Sequence, residues 1–168
     1  MSDFQKYIQR YLDQIPSGSW IEELKKSGEK TIAVYSDLTE GQSLFAYADG
    51  KWTLKELLLH LSDTERVFQY RLLVFARGDK AALPGFDEEE YAAHSFANKR
   101  SLESLLEEYK TVRKSSQILI ESLEPSALKN IGTANGNELT AETVGKLIVG
   151  HSYHHLNIIQ ERYLPGLK

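Results

Sequence analysis

Val144-Gly145-Lys146-Leu147-Ile148-Val149-Gly150-His151-Ser152-Tyr153-His154-His155-Leu156-Asn157-Ile158-Ile159 decides how the chain is read. Its apolar residues recur at three and four, the period of a helix with one buried stripe. At roughly 100° per residue, His151 and His155 fall about 20° either side of Val144, in the middle of that stripe. His154 lies roughly 80° off, at its edge. Residues four apart stack on one helical face, so His151 and His155 can aim two imidazole nitrogens at one point. Each buried ring needs partners for both nitrogens, and a shared cation supplies one to each. Two ligands hold a zinc-like ion weakly, so a third is expected from another helix.

Thr53-Leu54-Lys55-Glu56 opens the helix that offers it. The threonine oxygen can bond the Glu56 amide while the glutamate reaches back, a capping box, and Leu54, Leu57, Leu58, Leu61, Phe68, Leu72 and Phe75 then form an apolar face that Gly78 ends. His60 lies on the flank of this face. It either points into the groove between two helices, where bundle sites are built, or reaches solvent as a boundary histidine. His94, in an irregular stretch, and His154 are weaker ligand candidates.

The remainder reads as more helices. Phe4, Tyr7, Ile8, Tyr11, Leu12 and Ile15 make a short N-terminal one, stopped before Pro16. A run of about twenty residues from Ser19 follows, broken in its middle by the weak helix formers Ser27 and Gly28. Residues 78–98 cross an end of the bundle as a loop, with a turn at Leu83-Pro84-Gly85-Phe86 and one helical turn at Asp87 to Tyr91. Ser101 caps a helix through Leu123, Asn135-Gly136 is a tight turn, and Thr140 caps the last helix, which runs to Tyr163. With no persuasive strand, the expectation is all-α: a four-helix bundle with a short extra N-terminal helix and a crossing loop. Connections of ten to twenty residues leave the helix order open.

The 168 residues suit a single domain spanning 1–168. Hydrophobic residues at 41% and charged residues at 26% are ordinary for a globular protein. A net charge of −4 argues against nucleic acid as partner. Cysteine is absent, so any metal is held by nitrogen and oxygen. No signal peptide or membrane span is evident, which leaves the cytoplasm as the expected location.

Trp52-Thr53-Leu54-Lys55-Glu56-Leu57-Leu58-Leu59-His60-Leu61-Ser62-Asp63-Thr64-Glu65-Arg66, then Leu83-Pro84-Gly85-Phe86-Asp87, then Gly150 through Tyr163, together resemble the DinB-like (YfiT-like) superfamily of three-histidine metalloproteins. The resemblance spans most of the chain. It implies a four-helix bundle, frequently a homodimer, binding one divalent transition metal (zinc or nickel, with iron, manganese or cobalt as alternatives) through His60, His151 and His155. It also implies chemistry on small molecules: transfer of a low-molecular-weight thiol, or hydrolysis in members described as metal-dependent hydrolases.

Three neutral imidazoles leave coordination positions open, as catalytic sites do. No Glu or Asp lies one turn from the histidine pair on its stripe, which favours thiol transfer over hydrolysis. A non-catalytic, stress-associated dimer clamped by the ion is the third reading. Arg71, three turns after His60, is a candidate to pair a substrate carboxylate, against an ordinary ion pair. Glu65 falls on its helix's apolar face, where it either orients an imidazole or pairs a core arginine such as Arg162. Asp63 and Glu161 read as surface charges.

Overall fold

The computed structural model of the chain describes residues 2–167; Met1 and Lys168 lie outside them. Six helices are present among these residues: α1 (Asp3–Leu12), α2 (Trp20–Ser36), α3 (Leu54–Ala76), α4 (Glu88–His94), α5 (Leu102–Glu121) and α6 (Ala141–Ile158). Their starts follow the expected chemistry. In the Thr53 box, the Glu56 amide donates to Thr53 Oγ1 at 3.1 Å and the Thr53 amide to the Glu56 carboxylate at 2.8 Å. Ser19, Ser101 and Thr140 cap α2, α5 and α6 through their hydroxyls, each accepting from the amide three residues on, without the reciprocal bond. Gly78, at φ +76°, follows α3 and ends it.

α2, α3, α5 and α6 form a four-helix bundle. Around it, α2 packs on α5 and α6, and α3 packs on the same two helices. The sequence neighbours α2 and α3 therefore face each other across one diagonal, and α5 and α6 across the other. This is why the connections exceed hairpin length: each diagonal step crosses an end of the bundle.

The crossing chains are more ordered than their composition implied. Contrary to the expectation of no strand, Ala82–Leu83 (β1), Ile131–Ala134 (β2) and Asn137–Thr140 (β3) make a small sheet in the order β1-β2-β3. β2 and β3 form a hairpin, and β1 pairs in parallel with Thr133 and Ala134. Strands this short carry no periodicity; the hairpin turn Asn135-Gly136, both residues at positive φ, was their one sign. The last helix runs to Tyr163 as expected, but α6 passes into a π-helical turn over Ile159–Tyr163.

Apolar side chains fill the bundle in two clusters. One gathers Leu72, Phe75, Leu24, Ile148 and Val149, the other Leu54, Leu57, Leu58, Tyr35 and Tyr109. Between them along α3 lies the buried Glu65.

α1 crosses α6 at Gly150, where an added Cβ would stand 2.2 Å from the Tyr11 carbonyl oxygen. Gly150→Ala must push α1 away, and α1 walls the cavity described below. We expect a net loss of about 1–2 kcal/mol after the better helix propensity of alanine is counted. A thermal melt reads this directly, and an unchanged midpoint would show that the crossing is not tight.

Candidate metal centre

His60 is in the second turn of α3; His151 and His155 are on successive turns of α6. The bundle brings all three together. His60 Nε2 is 3.0 Å from His151 Nε2 and 3.2 Å from His155 Nε2, and the last two are 3.0 Å apart. His60, left between groove and solvent by its spacing, is buried at 8% exposure. A ring nitrogen is either donor or acceptor, so pairwise bonds cannot close around three. Three lone pairs converging on one point are what a cation takes up. At metal–nitrogen distances of about 2.0–2.1 Å, adjacent ligands sit roughly 2.9 Å apart in an octahedron and 3.3 Å in a tetrahedron. The observed spacings fall between, so the three residues fit a divalent transition metal.

Burial sets their protonation. It lowers His60 to about 4, and holds His151 and His155 well below the usual histidine range, with the neighbouring imidazoles adding to the effect. All three are neutral at pH 7, the state a ligand needs. The rings are oriented mainly by aromatic packing: Trp52 against His60 (4.6 Å between ring centres), Tyr11 and Phe68 against His151, His154 against His155. Among the described residues His155 Nδ1 is buried with no hydrogen-bond partner, and His60 Nδ1 has Thr64 Oγ1 at 3.4 Å.

The cluster opens on a cavity of about 500 Å³. Its walls come from α1 (Tyr7, Tyr11), from Phe68 and Arg71 of α3, and from Phe86 and Asn135 on the crossing chains. His154 lines it too but stays outside the converging triad. His94 is exposed on α4, its Nδ1 2.8 Å from the Glu90 carbonyl.

Arg71 does not make the ordinary ion pair weighed for it. It is 9% exposed, donates through Nη2 to the Pro84 carbonyl at 2.8 Å, and lies 5.9 and 5.8 Å from the ring centres of Phe68 and Phe86. Glu65 pairs neither with a histidine nor with Arg162, whose Nη1 reaches the Tyr47 hydroxyl at 3.3 Å. Its partner is Arg113 of α5, which donates from Nε to Oε1 at 2.9 Å and from Nη2 to Oε2 at 2.8 Å. The other donors of Arg113 reach the Leu24 carbonyl and Ser27 Oγ on α2, and Ser152 Oγ on α6. One guanidinium thus joins all four bundle helices, and through Ser152 it fixes α6 beside His151. Asp63, read as a surface charge, is half-buried with Arg66 at 3.3 Å, while Glu161 is exposed.

Arg113 was missed by the sequence reading. Its signal was an arginine one turn from both Tyr109 and Ser116 of the α5 stripe, opposite a glutamate on the α3 stripe. Ser27 and Gly28, read as a weak point in α2, serve the same contact. A Cβ at 28 would come within 3.0 Å of Arg113 Cγ and Nη1, so a side chain there would displace the guanidinium.

The sequence profile of the DinB superfamily matches residues 23–159. This chain belongs to the DinB superfamily. Among similar proteins, one from Oceanobacillus iheyensis, provisionally named a metal-dependent hydrolase, is 24% identical over 143 residues, 82% of this chain and 79% of that protein. Among solved structures, YfiT from Bacillus subtilis, described as a probable metal-dependent hydrolase with an unusual four-helix bundle topology, superposes with a TM-score of 0.73. It is 22% identical, and the match covers 84% of this chain and 82% of YfiT. This likeness establishes the DinB-superfamily chain as a four-helix bundle of that kind. Among the described residues, no helix is long and apolar enough to cross a membrane.

Proposed function

We propose that this DinB-superfamily protein is a metal-dependent enzyme of the cytoplasm, acting as a homodimer on small molecules. In this reading His60, His151 and His155 hold one divalent ion, zinc or nickel first, with iron, manganese or cobalt as alternatives. The observation that carries it is the meeting of three buried, neutral Nε2 atoms at the wall of a cavity. A divalent ion supplies Lewis acidity at neutral pH, lowering the pKa of a thiol or water brought to it. The chain's own residues then hold and shield the reactants. Three neutral donors leave the charge of the ion uncompensated, and aromatic side chains form much of the cavity wall around it.

The finer reading is transfer of a low-molecular-weight thiol. The sulfur bonds an electrophilic carbon, the leaving group departs with the electron pair of the broken bond, and the thiol's proton passes through solvent to that leaving group. This asks little acid–base help from the protein, which suits a triad without a carboxylate: Glu65 is committed to Arg113. Hydrolysis is the second reading, favoured by the names given to the two relatives. Its general base would come from Glu88 or Asp3, the carboxylates lining the cavity. A purely structural clamp is less well supported, since Arg113 already ties α3 to α6 through Glu65 and Ser152.

Metal content of untagged wild type beside His155→Ala tests the site. We expect near-stoichiometric metal in the first and at least a tenfold weaker affinity, of the order that loss of a ligand or its support brings, in the second. Equal occupancy would remove every metal-dependent reading. Cobalt-loaded protein titrated with small thiols then separates the reactions. A sulfur-to-cobalt charge-transfer band supports thiol transfer, and a spectrum indifferent to thiols alongside ester turnover moves the assignment to hydrolysis.

A further inference from the structure

The two buried arginines of the bundle differ in one respect. Arg113 spends its donors on the fold, with contacts to a carboxylate, a carbonyl and two hydroxyls. Arg71 is also buried, at the wall of the cavity, yet among the described residues its hydrogen bonding to the protein is limited to the Pro84 carbonyl. No carboxylate lies within 4 Å of it among the described residues. The acids lining the same cavity, Asp3 at the start of α1 and Glu88 in the first turn of α4, are exposed and do not reach it. An arginine's planar fork left short of partners in a low-dielectric wall is costly unless an anion completes it.

The surroundings fit that role. Phe68 and Phe86 flank the guanidinium and hold it in place. The small sheet brings a second polar group to the same cavity. The Asn135 amide donates to the Leu83 carbonyl at 2.9 Å, and Asn135 adopts φ 49°. Its side chain packs over Gly85, where an added Cβ would lie 2.7 Å from Oδ1. Asn135 lines the cavity, and among the described residues its side-chain amide has no hydrogen-bond partner; the walls around it are rich in aromatic rings.

We propose that the cavity takes a substrate bearing a carboxylate, which Arg71 clamps through two parallel N–H···O bonds, with an apolar or aromatic body between that anchor and the three histidines. The orientation of the body toward the histidines rests on the metal-centre reading above; the clamp itself does not. Bidentate guanidinium–carboxylate pairing is planar and directional, so the anchor selects acids over their neutral analogues and fixes which end of the molecule faces the triad.

The test uses the full-length protein, metal-loaded and chelator-treated, titrated with phenylacetate and with phenylacetamide. In wild type, phenylacetate should bind at least about tenfold more tightly than the amide, the ratio expected for a charge-assisted contact. In Arg71→Met the ratio should fall to near one with the amide affinity unchanged, and Arg71→Lys should restore part of it. No preference in wild type, or a preference that survives Arg71→Met, overturns the proposal. Should the methionine variant fold poorly, the arginine side-chain NMR signals of wild type decide. A shift with phenylacetate and none with the amide supports the clamp, and no shift with either refutes it. If the preference persists in chelated protein while metal content proves the same in wild type and His155→Ala, the metal reading fails and the clamp stands.

Discussion

Arg113→Met should lower the stability of the fold by about 3–5 kcal/mol, because it leaves the Glu65 carboxylate buried without its cation. Both side chains are nearly inaccessible, at 3% and 4%, so solvent screens little of the loss. Against a total of about 5–15 kcal/mol for a typical domain, this consumes a large share. The companion change separates the pair from its surroundings. In Glu65→Leu/Arg113→Met the stranded charge is gone, and replacing a buried pair by apolar side chains is often neutral or stabilising by about 1–4 kcal/mol. Ser27 and Ser152 keep the Leu24 and Ile148 carbonyls as acceptors, so the double variant should recover most of the loss. Urea unfolding of the three proteins measures it. A single substitution costing under about 1 kcal/mol would mean that water or a rearranged partner reaches Glu65.

Metal-free protein should be acid-sensitive in a window well above that of ordinary carboxylates. The folded chain holds His60 at about 4 against an ordinary value of 6.5. Between those values the unfolded chain binds a proton that the folded chain refuses, so stability is complete above about pH 6.5 and falls as pH drops toward 4. For His60 alone the full loss is on the order of 3 kcal/mol. His151 and His155 are shifted in the same direction by burial and by each other's proximity, which deepens the loss. Denaturation midpoints of chelated protein between pH 7.5 and 4.5 report this, and His60→Gln should flatten the profile. A flat profile in the unmutated protein would mean that the rings protonate freely, and hence that water enters the cluster.

Capped starts and three-and-four spacing placed the helices because both are local properties. The box at Thr53 and the stripe of α6 needed no knowledge of the partner. His151 and His155 were legible for the same reason, being one turn apart on one helix. The diagonal order of the bundle was not, since it depends on which faces meet across connections of ten to twenty residues. Glu65 illustrates the limit. Its place on an apolar face required a partner, and Arg162 was the arginine weighed for it; Arg113 went unnoticed because only the packing of α5 beside α3 brings its guanidinium to Glu65. The sheet escaped because two- and four-residue strands are held by backbone bonds from distant chain, which leave almost no mark on side-chain order.

Diagonal connectivity also governs when the triad can exist. His60 and His151 are 91 positions apart, and the helices that carry them are joined through α5 and a second crossing of the bundle end. A nascent or truncated chain lacking α6 would present His60 without its two partners, and one imidazole binds a divalent ion feebly. An ion held by all three would therefore report that α6 has docked on α3. Such an ion would close a long ring through the chain, and releasing α6 from α3 would then require breaking coordinate bonds as well as unpacking side chains. Loaded protein should accordingly outlast the empty chain in the presence of proteases by more than the difference in their contacts would indicate.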